Sequence, residues 1–248
     1  PGKVQALCAK AIHPDPMDLS APSVGAICVY NDMVKVARTA LDLGGGQSIP
    51  VAAVATAFPS GRASMEVKIQ DTKDAIADGA TEIDMVIDRG AFLAGKLGLV
   101  SDQIRAIKEI CGSKVHLKVI LETGELVTLD NVRKASYLAM LAGADFIKTS
   151  TGKVAPAATA PVVYVMLEAV RDFYKMTGQR IGVKPAGGIR NTKDAIKQLV
   201  LVNEIAGPEW LDPTLFRIGA SALLNDLLMQ RMKMRDGYYA SPNYVTLD

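Results

Sequence analysis

The chain has 248 residues, in which 28 lysines and arginines nearly balance 26 aspartates and glutamates, for a net charge of +2. A nucleic-acid binder carries a large basic excess, so this balance argues against a nucleic-acid partner. Apolar residues make up 49% and charged residues 22% of the chain, values that are typical of a globular protein and exclude a mainly disordered one.

No apolar run reaches the roughly 20 residues that a membrane-spanning helix needs, and no basic and apolar leader opens the chain. We therefore expect a soluble, cytoplasmic protein with no membrane partner. The three cysteines Cys8, Cys28 and Cys111 are odd in number and widely spaced, which favours reduced thiols over a disulfide framework or a zinc site. The sequence implies no metal.

The first predicted element is a helix over 3–12, and no strand precedes it. Beyond it, short apolar runs alternate with segments of helical period, which is the pattern of parallel βα units. Seven strands are predicted, at 24–29, 49–55, 82–87, 116–121, 145–148, 181–184 and 216–219. Gly44, Gly112 and Gly178 stand where three of the intervening helices should end.

These units predict the fold class, an α/β chain with the architecture of a TIM (β/α)8 barrel. One helix-to-strand junction recurs, since 78–84 resembles 142–148, and this fits a repeated βα unit. A barrel of this kind begins with a strand, so either the first strand is missing from this chain or the barrel closes in another way. We expect the missing strand to lie upstream of Pro1.

No flexible linker divides the chain, so a single catalytic barrel domain is predicted over 1–234. The remaining residues, 235–248, form a polar and aromatic tail without a helical period. A frayed terminus is the simplest interpretation of this tail, and a lid that uses its tyrosines is the alternative.

Four predicted strands each carry a charged residue that a buried strand should avoid. These residues are Asp84, Lys118, Lys148 and Lys184. One lysine could reach solvent from a strand end by snorkelling, but that explanation is weak for three lysines and an aspartate on separate strands. The C-terminal ends of barrel strands meet at one mouth, so the sequence predicts an active site there.

Lysines and a carboxylate in one site indicate imine chemistry. A lysine is a poor nucleophile while it is protonated, and desolvation or a second nearby cation lowers its pKa and frees the amine. Two neighbouring lysines therefore predict one nucleophile and one partner that lowers its pKa. The carboxylate of Asp84 would relay protons while the amine adds to a carbonyl substrate, and such a set needs no metal.

Three glycine-bearing turns follow the last three predicted strands. They are 150–153, which contains Thr151 and Lys153, then Gly187 with Gly188, and finally Gly219 to Ser221. Glycines let backbone N–H groups approach an anion, and the loops after the last two strands commonly hold phosphate in a TIM barrel. Each turn alone is a common feature, but the three turns together with Lys153 favour a phosphorylated substrate.

Several long motifs, in matching order, resemble those of the deoxyribose-phosphate aldolases, a family of class I aldolases. The motifs are FIKTSTGK at 146–153, GVKPAGGIR at 182–190 and FRIGAS at 216–221, with further matches at 25–30, 57–61 and 117–124. The resemblance implies reversible cleavage of 2-deoxy-D-ribose 5-phosphate into D-glyceraldehyde 3-phosphate and acetaldehyde, during deoxynucleoside breakdown. It also implies a homo-oligomer of two or four copies.

The resemblance gives each site residue a role. Lys148 would form the Schiff base, Lys184 would depress its pKa, and Asp84 would relay protons. Lys118 and Cys28 would line the pocket, although a small buried hydrophobe is the simpler interpretation of Cys28. The phosphorylated end of the substrate would be bound by Thr151, Lys153, Gly187, Gly188, Gly219 and Ser221.

The chain also departs from the family pattern. The Asp-Leu-Thr run of the family's first strand is absent, and the similar run Asp18-Leu19-Ser20 follows the first helix, so we expect it to lie outside the site. Ala222 replaces a second serine after Gly-Ala-Ser. A C-terminal tyrosine covers the phosphate in the family, and both Tyr239 and Tyr244 qualify here.

Two alternatives to an active aldolase stay open at this point. The missing strand and the altered phosphate turn would fit a barrel that is weakly active or inactive and serves as a binding or scaffold protein. A transaldolase-like enzyme, which also forms an imine within a barrel, is the second alternative.

Overall fold

Six parallel strands, adjacent in the same order as along the chain, form the centre of the computed structural model, which describes residues 1–239 and 241. The strands are β1 (Ile27–Tyr30), β2 (Val51–Ala55), β3 (Glu82–Val86), β4 (His116–Ile120), β5 (Phe146–Lys148) and β6 (Gly182–Lys184). Strands in sequential order with a crossover between each pair are the topology of a TIM barrel. The predicted α/β fold class is confirmed, and the six strands match the first six predicted ones.

The seventh predicted strand is only partly formed. Within the described residues, 216–219 forms two isolated bridges, one from Phe216 to Val183 of β6 and one from Gly219 to Ala186, two residues beyond the end of β6. Pro185 lies between these bridges and has no backbone N–H, so it cannot donate the next hydrogen bond of the ladder. Its carbonyl still accepts a bond from the backbone N–H of Gly219, at 2.7 Å, which keeps the segment beside β6.

Helices surround the sheet and connect its strands. They are α1 (Gly2–Ile12), α2 (Val34–Leu43), α3 (Met65–Ala77), α4 (Arg89–Leu93), α5 (Leu97–Cys111), α6 (Leu129–Leu141), α7 (Ala160–Thr177), α8 (Thr192–Ile205) and α9 (Leu223–Asp236). The predicted first helix is confirmed as α1. Among the described helices, none is both long enough and apolar enough to cross a lipid bilayer.

Polar side chains and glycines set the ends of these helices. Thr128 and Asn191 accept hydrogen bonds from backbone N–H groups in the first turns of α6 and α8, at 3.2 and 2.9 Å. Gly44, Gly112 and Gly178 directly follow α2, α5 and α7, as predicted. Helix α9 continues through Asp236, two residues into the segment that the sequence pattern assigns to the tail.

The recurring helix-to-strand junction is confirmed. Gly79 follows α3 and Gly143 follows α6, and their φ angles are nearly the same, +102° and +100°. Residues that carry a side chain rarely adopt this backbone conformation, so both junctions favour glycine. Each junction then leads, within three residues, into a strand that carries part of the charged cluster described below.

The segment that contains Asp18-Leu19-Ser20 lies away from the strands. Leu19 and Ser20 are exposed, and Asp18 Oδ2 accepts a hydrogen bond from Arg231 of α9 at 2.5 Å. The run therefore ties the loop after α1 to α9. It does not enter the barrel, in agreement with the prediction that it only resembles the first-strand motif.

Candidate active site

The four charged strand residues lie on consecutive strands, β3 to β6. Register pairs Asp84 with Lys118 and Lys148 with Lys184. Asp84 and Lys118 are fully buried, and Lys148 and Lys184 are only 5% and 6% exposed. These lysines do not snorkel into water, because their ammonium groups find a carboxylate inside the barrel.

One carboxylate binds all three lysines. Asp84 Oδ2 accepts hydrogen bonds from Lys148 Nζ and from Lys184 Nζ, each at 2.8 Å. The other oxygen, Oδ1, accepts a hydrogen bond from Lys118 Nζ at 3.1 Å. The geometry therefore places the amines of Lys148 and Lys184 on the same oxygen atom, within reach of one reacting group.

The two lysines that share this oxygen differ in pKa. Burial lowers the pKa of Lys148, and the charge of Lys184 lowers it further, although Asp84 acts in the opposite direction. Burial also acts to lower the pKa of Lys184, but the charge of Asp84 outweighs it, so the pKa of Lys184 is raised. The site thus separates an amine that can lose its proton from an ammonium that keeps it.

Asp84 stays ionised in this setting. Burial alone would raise its pKa, but the charges of Lys118, Lys148 and Lys184 together hold the pKa well below its usual range. A charged carboxylate at the centre of the cluster can orient both amines and can accept a proton transiently from either of them.

Cys28 on β1 contacts the same carboxylate, with Sγ 3.9 Å from Asp84 Oδ2. Its side chain is exposed, so the expectation of a small buried hydrophobe is wrong. Strand β1 is the first strand of the described sheet, and it pairs only with β2 there. Cys28 is thus open to solvent at a position that contacts the lysine cluster.

The three glycine-bearing turns lie next to one another and next to Lys184. A Cβ on Gly187 would lie 2.9 Å from Ser150 Oγ and 2.6 Å from Ala157 Cβ, and φ at Gly187 is +87°. A Cβ on Gly219 would lie 3.3 Å from Lys184 Cε. The backbones of three successive loops therefore lie close to one another, at the end of the strands that carry the lysines.

The turn after β5 presents its backbone and its lysine to solvent. The backbone N–H of Lys153 donates to Thr151 Oγ1 at 3.1 Å, and Lys153, Gly188 and Ser221 are exposed residues. Thr151 in turn donates its backbone N–H to Glu122 Oε1 at 3.2 Å. Glu122 is buried and was missed from the sequence, although an acidic residue directly after an apolar strand is a recognisable signal.

Two more charged residues missed from the sequence lie below the lysine cluster. Glu82, on β3, is 1% exposed and binds Lys118 through Oε2. Its other oxygen, Oε1, accepts a hydrogen bond from Arg217 Nη1 at 2.6 Å. Alternate residues of a strand share a face, so the spacing of Glu82 and Asp84 was a usable signal.

Of the two candidate tail tyrosines, Tyr239 lies within the described residues, and its contacts are with α9 rather than with the lysine cluster. The hydroxyl of Tyr239 donates to Gln230 Oε1 at 3.4 Å, and Lys233 Nζ lies 4.1 Å from the centre of its ring. Both contacts hold Tyr239 against α9. Tyr244 lies outside the described residues.

Metal ligands are not grouped in the parts of the chain that the structure describes. Residues 1–239 and 241 contain no cluster of three or more histidine, cysteine or acidic side chains placed to hold a metal ion.

Comparison with known proteins supports one family. A family model described as DeoC/LacD family aldolase matches residues 2–228. The human deoxyribose-phosphate aldolase is 49% identical over 246 residues, which cover 96% of this chain and 77% of the human protein; the mouse enzyme is 48% identical with the same coverage. A crystal structure of a candidate deoxyribose-phosphate aldolase from Coccidioides immitis is 32% identical, with a TM-score of 0.74 over 92% of this chain and 79% of that one. The barrel, its motifs and these similarities show that the chain belongs to the DeoC/LacD family of aldolases.

Proposed function

We propose that the chain is a deoxyribose-phosphate aldolase, which reversibly cleaves 2-deoxy-D-ribose 5-phosphate into D-glyceraldehyde 3-phosphate and acetaldehyde. The observation that carries this proposal is the pair of buried lysines whose amines each lie 2.8 Å from Asp84 Oδ2. Family membership supports the reaction class, and the substrate follows the names of the most similar relatives.

Imine formation begins with the neutral amine of Lys148, which attacks the aldehyde carbon C1 of the open-chain sugar. The resulting carbinolamine gains a proton on its hydroxyl group and loses water, leaving a protonated imine. Lys184 stays positively charged and depresses the pKa of Lys148, and Asp84 bridges the two amines. A proton that leaves one nitrogen can therefore be passed through Asp84 Oδ2.

Cleavage then uses the imine as an electron sink. The C3 hydroxyl group loses its proton, the C2–C3 bond breaks, and its electron pair forms the enamine on Lys148. C3 leaves as the aldehyde carbon of D-glyceraldehyde 3-phosphate. Protonation of the enamine at C2 and addition of water release acetaldehyde and regenerate the amine. The covalent imine supplies the electron sink, so the proposal includes neither a metal nor a cofactor.

The adjacent glycine turns are proposed to bind the phosphate. Backbone N–H groups near Gly187, Gly188 and Gly219, the hydroxyl groups of Thr151 and Ser221, and the ammonium of Lys153 are donors suited to a phosphate dianion. Lys118 and Cys28 are proposed to line the wall of the pocket, since both contact Asp84.

Reductive trapping tests the proposed reaction. Incubation with acetaldehyde and borohydride should convert the imine on Lys148 into a stable ethyl adduct, which a peptide mass spectrum locates. Turnover of deoxyribose 5-phosphate should reach rates ordinary for an enzyme, roughly 1 to 10³ per second. An unmodified Lys148 peptide together with the absence of turnover would overturn the proposal and favour the scaffold alternative.

Replacement of Lys153 with alanine tests the phosphate site. We expect the KM for deoxyribose 5-phosphate to rise about tenfold, because a charge-assisted contact to phosphate is lost, while kcat changes little. The KM for unphosphorylated deoxyribose should be unchanged. Lys134→Ala, an exposed lysine on α6, is the matched control. An equal rise in KM for both sugars would contradict a phosphate contact.

We further propose that 1–234 act as one catalytic domain with 235–248 as a tail, and that the enzyme works in the cytoplasm, where deoxynucleoside breakdown supplies the sugar phosphate. A homo-oligomer of two or four copies stays a prediction. Analytical ultracentrifugation measures the assembled mass directly, and a monomer at micromolar concentration would show that prediction to be wrong.

A further inference from the structure

A second layer of charge lies one step deeper in the barrel than Asp84. Glu82 precedes Asp84 by two residues on β3, so both side chains point into the barrel, and Glu82 lies closer to the N-terminal ends of the strands. The mechanism proposed above does not use this residue. It nevertheless forms ion pairs with Lys118 and Arg217 through separate oxygens, and it is almost fully buried.

The position of Lys118 depends on this layer. Its ammonium binds Glu82 Oε2 on one side and Asp84 Oδ1, at 3.1 Å, on the other. The Lys118 side chain is fully buried, so its charge has no water to solvate it, and the two carboxylates carry that task. Without Glu82, the ammonium would have only Asp84 as an anionic partner among the contacts seen in the described chain.

An aromatic ring packs against the cations of this layer. Lys118 Nζ lies 6.0 Å and Arg217 Cζ lies 5.7 Å from the centre of the Phe146 ring. The neighbouring strand makes room for the ring with a glycine, because a Cβ on Gly182 would come within 2.2 Å of it. The layer is therefore tightly packed, and Lys118 and Arg217 have little freedom to change partners.

We propose that Glu82 is a positioning residue of this aldolase, which holds Lys118 and Arg217 beneath the site so that Asp84 Oδ2 remains available to Lys148 and Lys184. The inference rests on the proposed function for its catalytic consequence. Its structural basis is the chain of contacts from Arg217 through Glu82 and Lys118 to Asp84, which connects the segment after β6 with β3 and β4.

The electrostatic consequence has a definite sign. Asp84 raises the pKa of Lys148, whereas burial and Lys184 lower it. If Glu82 loses its charge, Lys118 stays where it is, Asp84 becomes its one charged partner among the described contacts, and the ammonium neutralises more of that carboxylate. Asp84 then supports the charged form of Lys148 less, so the pKa of Lys148 should fall.

The charged and titratable groups around these two residues come from several elements. Lys148 is faced by Asp84 of β3, Lys184 of β6 and Cys28 of β1. Glu82 is faced by Lys118 of β4 and by Arg217, and the exposed His116 of β4 is its register partner. The carboxylate of Glu82 also acts directly on Lys184, whose pKa it raises.

The test compares two single variants that change the charge of this layer in opposite directions. Glu82→Gln removes a negative charge at nearly constant shape, and the acid limb of the kcat/KM profile, which reports the free enzyme, should move to lower pH by about half a unit or more. We expect kcat to fall about 10- to 100-fold, because Asp84 is displaced from Lys148, while the KM changes less than about twofold. Arg217→Gln removes a positive charge, so the acid limb should move to higher pH.

Three controls separate positioning from a merely structural role. Glu82→Asp keeps the charge and should keep the pH profile of the wild type. Asp102→Asn removes an exposed carboxylate on α5 and should change neither the profile nor kcat. In a Lys118→Met background, Glu82→Gln should lower kcat by a much smaller factor than it does in the wild type, because its effect passes through Lys118.

A readout that does not need turnover distinguishes this inference from the proposed function. The titration of Lys148, followed by NMR of ¹³C-labelled lysine, should show the same opposite shifts in Glu82→Gln and Arg217→Gln. If the wild type lacks turnover but the titration shifts, the proposed function fails and the positioning role stands. If Glu82→Gln does not fold, Arg217→Gln decides alone. An unshifted Lys148 titration in the folded variants would overturn the inference.

Discussion

Replacing Lys148 with leucine is expected to abolish the cleavage of deoxyribose 5-phosphate. The substitution removes the amine that forms the imine and leaves a shorter, apolar side chain in a nearly buried position. Loss of a covalent nucleophile lowers kcat by on the order of 10⁴-fold or more, so the residual rate should approach the background. The measurement is turnover of deoxyribose 5-phosphate at neutral pH, combined with borohydride trapping.

The variant also needs a check on folding, because it removes one partner of Asp84. The remaining contacts of Asp84 with Lys184 and Lys118, at 2.8 and 3.1 Å, should keep the carboxylate paired and the barrel folded. Lys197→Leu, at an exposed position on α8, is the matched control and should retain full activity and trapping. A Lys148→Leu enzyme that is still trapped on another lysine and still turns over would show that the nucleophile is misassigned.

Replacing Lys184 with leucine should move the activity to higher pH. The charge of Lys184 lowers the pKa of Lys148, and the same residue shares Asp84 Oδ2 with it. Without Lys184, a charge that lowers the pKa of Lys148 is lost, and Asp84, which raises this pKa, is no longer shared with a second amine. Both changes raise the pKa of Lys148. Each unit of increase reduces the neutral amine at pH 7 about tenfold, and we expect the acid limb to move up by about one unit or more.

The pH dependence of kcat/KM, which reports the free enzyme, and of the trapping rate measures this shift. Lys184→Arg retains a cation at the site and should keep the acid limb closer to that of the wild type, although the larger guanidinium is expected to lower kcat. Turnover of Lys184→Leu should recover in part at high pH, where the amine of Lys148 is again neutral. An unchanged profile would show that Lys184 does not set the pKa of Lys148.

The sequence predicted much of this protein because its signals are local or periodic. Alternating strand and helix patterns identified the first helix and all six strands of the sheet. Glycines marked helix ends at Gly44, Gly112 and Gly178. Charged residues within apolar strands pointed to Asp84, Lys118, Lys148 and Lys184. A charge inside a strand that is buried on both faces is costly, so its presence is informative without any structure.

Other features were missed because they depend on partners distant in the chain. Cys28 is exposed and contacts Asp84, and its own apolar strand context gives no sign of either property. The interrupted seventh strand follows from Pro185 on its neighbour. Glu82 looks like a strand-end acid until Arg217, 135 positions later, is found on its other oxygen.

The sequence by itself therefore determined the barrel architecture, the family and the residue types needed for imine chemistry, since these follow from periodicity and from the cost of burying charge. Only the tertiary structure decided which oxygen each amine binds, which lysine keeps its proton, and which second carboxylate holds Lys118. Those outcomes depend on separations of about 3 Å between side chains on different strands, and electrostatic interactions at that range change steeply with distance and burial.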